Sequence, residues 1–376
     1  MAKALSYAED VRLNYDPEKP ADRFLSALSP AAQRSTSERL PQNVPWPGTS
    51  KPTPRPLAPA PAESDDLSKF SGYDAIVVTY TSAEAAALAA LFTPGHPVSS
   101  WYEYRHNIAE YIPIVTGKKA PFNSTDPTDA RYYHSLGLYF PCTIGKARVL
   151  LLKSGLHMDY DLEAVAPVIP INKMLTEVVQ TVKPKLVITT GTGGGIGADV
   201  KLGDVIVAGQ ALFNCNHFLA GETWAHTPYT TSAVSAKALA LMTPALMKVN
   251  AAKVAAATPI AGRAEPKIWS AKTAKIVTTD VFAFDTSSNN PFHLHGLGQA
   301  CDMGDAMVGQ VMSQTQFKNI SWYAIRNASD PQIPDSGGVT FAEADKEAGT
   351  IYRDYGAFTT AASVIASWAI IDATFN

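Results

Sequence analysis

The stretch Leu186-Val-Ile-Thr-Thr-Gly-Thr-Gly-Gly-Gly-Ile-Gly-Ala198, followed after Asp199 by Val200-Lys-Leu-Gly-Asp-Val-Ile-Val207, constrains this chain more than any other feature. An apolar strand that runs into five glycines within seven residues implies a backbone that turns sharply and approaches something closely. The frame Gly193-x-Gly195-x-x-Ala198 formally fits a dinucleotide fingerprint. That fingerprint needs a helix directly after it and an acid about 20 residues on. Here the turn Lys201-Leu-Gly-Asp204 leads into a second apolar run instead. No GxxxxGK[ST] occurs, which removes a P-loop. A strand, a glycine turn and a strand suit either a small ligand resting on backbone amides or a structural tight turn.

Around this element the chain alternates strand and helix signals. Short apolar runs of the buried-strand kind occur at Asp74–Thr79, Arg148–Lys153, Lys185–Thr190, Val205–Ala208, Lys275–Thr278 and Trp322–Arg326. Helical patterns occur at Ala83–Leu91 behind a capping Ser82, at Leu162–Val182, Ala233–Ala255 and Met303–Phe317, and over a long Phe341–Thr374 in which Gly349 and Gly356 invite bends. The alternation predicts an α/β sandwich on a mostly parallel or mixed sheet. Ser99–Pro141, rich in Tyr, Pro, Asn and Asp, reads as a long insertion. Eight prolines lie between Pro41 and Pro61, and this density forbids helix or central strand. Residues 1–72 therefore read as a Pro-rich arm and linker, either a surface strap or a poorly ordered tail, ahead of a domain over 73–376.

Composition narrows the function classes. With 31 Lys+Arg against 34 Asp+Glu the net charge is −3, which argues against a nucleic-acid surface. Cys142, Cys215 and Cys301 show no CxxC spacing, against a disulfide scaffold or structural zinc. No apolar stretch is long enough to span a bilayer, and the first ten residues carry acids rather than a secretory apolar run. The expectation is a soluble, cytoplasmic protein.

Thr190-Gly-Thr-Gly-Gly-Gly195 with Val200-Lys-Leu-Gly-Asp-Val205, together with three further blocks in matching order between about Asp74 and Ile370, resembles the nucleoside phosphorylase and nucleosidase superfamily, most closely its methylthioadenosine/adenosylhomocysteine nucleosidase branch. The resemblance implies a three-layer α/β sandwich with a central mixed sheet of the nucleoside phosphorylase type. It also implies roles for residues. Glu84, after the first strand, would activate water; read alone, it is a helix first-turn acid favoured by the dipole. Asp330, closing Ile325-Arg-Asn-Ala-Ser-Asp330, would protonate the purine, with a pKa raised beneath the base, while Arg326 and Ser329 hold it; read alone, Asp330-Pro331 is a turn. Phe282 would stack on the base, Thr192 and Gly193 would lie near the ribose, and Met303 and Asp305 would face the sugar. His157, after the strand-end turn Lys153-Ser-Gly-Leu156, would contact the sugar as well.

The fourth block departs from the family pattern, which has Met-Glu. Here Cys301-Asp-Met-Gly-Asp-Ala306 aligns Met303 but puts Gly304 where the family's ribose-gripping glutamate stands, so that Asp302 or Asp305 replaces it, the sugar is not an ordinary ribose, or ribose binding is lost. Phosphorylases of the family carry an arginine on the strand before the glycines and another soon after the first strand. This chain has Thr189 at the first place and no arginine between Asp74 and Arg105, which favours water as nucleophile. His293-x-His295 lacks a nearby third metal ligand. The reading is a nucleosidase acting on a purine or related nucleoside, with no metal or organic cofactor and a homo-oligomeric state implied. The alternatives are a phosphorylase using Arg105 or Arg131, and a non-catalytic binding protein.

Overall fold

The computed structural model describes residues 44–115, 136–156, 170–217, 219–247, 249, 263, 265–335 and 338–376. Its centre is a mixed sheet of 13 strands. Strands β1 (Pro52–Pro54), β2 (Ala75–Thr79), β3 (Tyr102–Tyr104), β4 (Gly137–Ile144), β5 (Ala147–Ser154) and β6 (Leu186–Gly195) build one half. The other half holds β7 (Val205–Val207), β8 (Gln210–Phe213), β9 (Pro228–Thr230), β10 (Ile268–Trp269), β11 (Lys275–Thr278), β12 (Ala300–Asp302) and β13 (Ser321–Asp330). The main path runs β1-β4-β5-β2-β6-β12-β11-β8-β9, and β13 lies along the other edge of β6.

Helices cover both faces. On one, α1 (Ser82–Phe92) and most of the buried length of α2 (Phe341–Phe375) contribute Leu88, Phe92, Val364, Ile365 and Trp368 to one core cluster. On the other, α3 (Pro170–Val182) and α4 (Asp305–Met312) contribute Met174, Val178, Met307 and Val311 to a second. Alternate residues of β2 divide between the two, Ile76 and Val78 to one cluster and Ala75 and Val77 to the other. That is the period-2 signature of a strand buried on both faces. The three layers agree with the architecture expected from the sequence.

Local details differ from the sequence reading for identifiable reasons. The glycines do not form a turn. β6 continues extended through Gly195, and the chain turns only at Ile196–Asp204, where Gly197 and Gly203 take φ of +81° and +84°. Within β6 the glycines allow close approach instead: a Cβ on Gly191 would lie 2.2 Å from Glu84 Oε1, and one on Gly194 2.9 Å from Cys301 Sγ. The Ser99–Pro141 region contains β3, a short helix at Ile108–Val115 and the start of β4, whose aromatic and proline content had masked its strand character. Pro52–Pro54 pairs antiparallel with Cys142–Ile144 as an edge strand, a position where a missing N–H is tolerated. Thr81 rather than Ser82 caps α1, because its extended backbone lets the hydroxyl accept from Glu84 N at 3.1 Å.

The final helix α2 is unbroken across Gly349 and Gly356. Its buried Thr359 and Ser363 bond Asn327 of β13 at 2.9 and 2.8 Å, so helix and strand are pinned by side-chain hydrogen bonds as well as apolar packing. Farther along, Trp368 is fully buried, its ring 5.0 Å from that of Trp46 and its indole N–H donating to the Ser50 carbonyl at 2.7 Å. Trp368 thus fastens the Pro-rich segment to the sheet. Trp368→Ala is expected to cost about 3–5 kcal/mol. Chemical denaturation should show this as a lower midpoint with an unchanged slope; a midpoint within error of the parent would contradict it.

Candidate functional site

The carboxyl ends of three mutually parallel strands, β2, β6 and β13, converge on one cleft. The edge of β6 shared with β2 pairs only as far as Thr189, and β12 takes up the same edge from Gly194 in the opposite direction. Thr190–Gly193 is left between them, at a point where strand order changes. Crevices of α/β sheets open at such points. The cleft is partly open to solvent and is lined by Glu84, Thr192, Gly193, Phe282, Met303, Arg326 and Ser329 among others.

Glu84 is 1% exposed and held from six directions. Its Oε2 accepts from Thr79 Oγ1, Tyr80 N and Thr81 N at 2.8–2.9 Å, while Oε1 accepts from Thr192 N at 2.7 Å, Thr192 Oγ1 at 2.8 Å and Arg326 Nη1 at 3.3 Å. The same carboxylate therefore completes the capping box of α1 and reaches β6. Glu84 thus stands in the helix first turn and also lines the cleft. Gly191 is required below it, since any side chain there would overlap the carboxylate.

Arg326 sits in the middle of β13 and is 2% exposed. It meets three carboxylates: Glu84 through Nη1, Asp302 through Nη2 at 3.0 Å, and Asp305 through Nη2 and through Nε at 2.9 Å. Nη1 also donates to the Thr192 carbonyl at 3.3 Å. A guanidinium has five N–H donors; this one makes four hydrogen bonds, and its Nη2 also forms the ion pair with Asp302. The Asp305 and Asp302 charges hold this guanidinium protonated despite its burial. Burial, followed by the neighbouring Asp305 charge, pushes the Asp302 carboxyl well above the usual carboxylate range.

Asp305 does not line the cleft. As the first residue of α4 it is fully buried against Arg326, and Asp302 holds the cleft-facing place instead. Asp302 Oδ2 accepts from Gly304 N and Asp305 N at 3.1 and 2.8 Å, so the carboxylate satisfies backbone donors where the helix that follows begins. The glycine at 304 has a physical partner as well. The Tyr80 ring fills the space beside it, at 2.6 Å from where a Cβ would stand, and lies 5.2 Å below the Arg326 guanidinium.

On the opposite wall β13 carries a bulge between Ala328 and Asp330. It brings Ser329 Oγ within 2.8 Å of Asp330 Oδ1 and 3.3 Å of the Gly193 carbonyl. Asp330 is 1% exposed and is not itself a lining residue. Its Oδ2 lies against Gly194, which is one, 3.1 Å from where a Cβ would stand. Half-buried Phe282 and buried Met303 face the same space. His157 and Arg131 lie outside the described residues. Arg105 pairs with Glu63 at 2.7 Å, away from the lining. Among the described residues no group of three or more His, Cys, Asp or Glu is arranged to hold a metal ion, and no helix is long and apolar enough to cross a membrane.

Sequence reasoning missed Tyr352 of α2, which also lines the cleft. A tyrosine on a long helix far along the chain carries no local signal of a site. Thr81 and Thr279 were missed for another reason: each directly follows or nearly follows a strand whose end reaches the cleft, a positional cue available only once the sheet order is known.

Comparison with known proteins adds a family. No curated protein matches the sequence. Among solved structures, the 5′-methylthioadenosine/S-adenosylhomocysteine nucleosidase of Neisseria meningitidis, in complex with methylthio-immucillin-A, is 16% identical; the match covers 80% of this chain and 99% of that one, with a TM-score of 0.44. The corresponding Helicobacter pylori nucleosidase is 16% identical over 81% of this chain and all of its own, with a TM-score of 0.46. Futalosine hydrolase of Helicobacter pylori is 14% identical over 80% and 98%, with a TM-score of 0.44. The family model described as Phosphorylase superfamily matches residues 101–357, more than half of the sequence, and the chain belongs to that superfamily.

Proposed function

We propose that the protein is a nucleosidase that uses water to cleave the N-glycosidic bond of a purine or related nucleoside. The sugar lies across the cleft between Glu84 and Asp330, with the base against Phe282. Water attacks the anomeric carbon and gives its proton to Glu84, beside which the Thr192 hydroxyl can donate or accept. The carbon–nitrogen bond breaks, and its electron pair leaves with the base. Asp330, entering in its protonated form and oriented by Ser329, hands a proton to the ring nitrogen. The products are the free base and a sugar with an anomeric hydroxyl. A developing oxocarbenium charge would be favoured by the acidic surroundings of Glu84 and Asp302. Met303 packs against the sugar, and Asp302 takes the place first expected for Asp305.

The observation that carries this reading is the state of Arg326. It is the one cation lining the cleft among the described residues, and it is already committed to four hydrogen bonds, three of them to carboxylate oxygens, and to an ion pair with Asp302. Phosphorolysis needs an anion pocket built from available cationic donors; with Arg326 committed, a phosphate dianion would meet carboxylates instead. Water is neutral and meets no such repulsion. The glycine at 304 supports a second reading, a nucleoside- or base-binding protein without turnover, which a free-base release assay separates from the first. We further propose that the protein works as a homo-oligomer in the cytoplasm, with small nucleosides as its ligands and neither metal nor organic cofactor.

Two outcomes follow. Asp330→Asn removes the proton donor while keeping its shape, so base release should fall by about 10²–10⁴-fold while calorimetric affinity for the nucleoside stays near the parent value. Normal turnover in that variant would mean another group is the acid. Chromatography of reaction mixtures should also show base release at the same rate with and without inorganic phosphate, and a free sugar as co-product. A phosphate requirement and a sugar 1-phosphate would establish phosphorolysis.

A further inference from the structure

The two walls of the base side of the cleft come from distant parts of the chain. Residues 279–299 join β11 to β12 and carry Phe282 and Ala283, while Asp330 ends β13 and is followed by Pro331–Asp335. These two segments are stitched together. The Asp285 carbonyl accepts from Ile333 N at 2.9 Å, the Ile333 carbonyl accepts from Ser287 N at 2.9 Å, and Thr286 forms a parallel bridge with Ile333. Asp335 accepts from Ser287 Oγ, Ser288 N and Asn289 N at 2.6–2.9 Å.

One side chain ties this ladder to the rest of the site. Asp285 is 1% exposed, and its Oδ2 accepts from Gln332 Nε2 at 2.7 Å and from Gly197 N at 2.8 Å. Gly197 belongs to the turn that leaves β6, so a single carboxylate contacts the Phe282 loop, the segment after Asp330 and the end of the central glycine strand. On its other oxygen, Oδ1, the half-exposed His295 ring stands at 2.8 Å, with the same Nε2 at 2.9 Å from the Thr286 carbonyl. His295 comes from the same loop and closes it on itself. A buried carboxylate engaged on three elements is costly to release, because breaking the contacts strands a charge away from water.

We propose that Asp285 is a positioning residue that locks the ring of Phe282 and the carboxylate of Asp330 into one unit, so that both sides of the base pocket are set together. The proposal rests on the nucleosidase reading for what the pocket holds, but the mechanical coupling does not. Asp285 touches neither the cleft lining nor any reacting atom; it acts through Gln332 and Gly197 on one side and its own loop on the other. Small displacements of a proton donor relative to its target are expensive in rate.

Hydrogen exchange on the full chain tests the coupling without any ligand. In Asp285→Ala the amides of residues 281–288 and of 332–335 should both exchange about tenfold or more faster, while β2 and β6 keep parent protection. Gln332→Ala, a milder change on a partner side chain, should move both segments in the same direction. Asp285→Asn, which keeps an acceptor for both N–H donors, should restore most of the protection. With adenosine and 5′-methylthioadenosine as probes, Asp285→Ala should raise KM and lower kcat together, each by about tenfold, with Asp285→Asn intermediate. Loosening of the loop alone, with 332–335 as protected as in the parent, overturns the proposal; so does loosening of both with KM and kcat unmoved. If Asp285→Ala fails to fold, the exchange pattern of Gln332→Ala decides by the same criterion. A parent protein that releases base from neither probe counts against the nucleosidase reading, while joint loosening in the variants would still uphold the coupling.

Discussion

A guanidinium buried to 2% exposure must find counter-charge within contact distance, and around Arg326 that requirement organises the site. Three carboxylates from three different elements answer it: Glu84 from the first turn of α1, Asp302 from the end of β12 and Asp305 from the start of α4. Two of them have a second task in their own neighbourhood: Glu84 completes the capping box of α1 and bonds β6, and Asp302 accepts from backbone N–H groups at the start of α4. The cluster therefore ties local structure to tertiary packing. Removing Arg326 would leave buried negative charges facing one another, so its loss threatens the fold as well as the chemistry. The Tyr80 ring seals the cluster from below and occupies the space that a side chain at 304 would need.

The sheet explains why these groups meet at all. β6 loses its β2 neighbour after Thr189 and regains a neighbour only when β12 joins at Gly194. The intervening backbone directs the Thr192 N–H at Glu84. Glycine at 191, 193 and 194 is needed because Glu84, Cys301 and Asp330 press directly on the strand. On the far edge, the bulge in β13 accompanies a Ser329 that lines the same space and an Asp330 buried behind Gly194. The close approach of side chains to bare backbone brings Glu84 to the cleft and packs Asp330 directly behind its Gly194 wall.

Much of the fold was legible in the sequence because it rests on short-range pattern. The apolar runs at Asp74–Thr79, Lys275–Thr278 and Trp322–Arg326 fall in the largely buried strands β2, β11 and β13, and such strands announce themselves by continuous hydrophobicity. The glycine cluster was legible as a place of close approach but not as a strand, since only tertiary neighbours decide whether glycine turns the chain or admits a contact. β4 was hidden within a stretch rich in turn residues. The exchange of Asp305 for Asp302 at the cleft was not readable either: which of two acids three positions apart faces inward depends on where α4 begins, and its N-cap, Gly304, has no side chain to mark that start. Glu84, Thr192, Gly193, Phe282, Met303, Arg326 and Ser329 were singled out through the family resemblance, and these seven line the cleft.

The account stands or falls on a nucleoside lying between Glu84 and Asp330. The direct test is a crystal structure of the protein soaked with purine nucleosides and free purines. The base should stack on Phe282, with a ring nitrogen within hydrogen-bond distance of Asp330 and the anomeric carbon on the side of Glu84. A purine bound elsewhere, or one in the cleft with its sugar turned away from Glu84, would contradict the account.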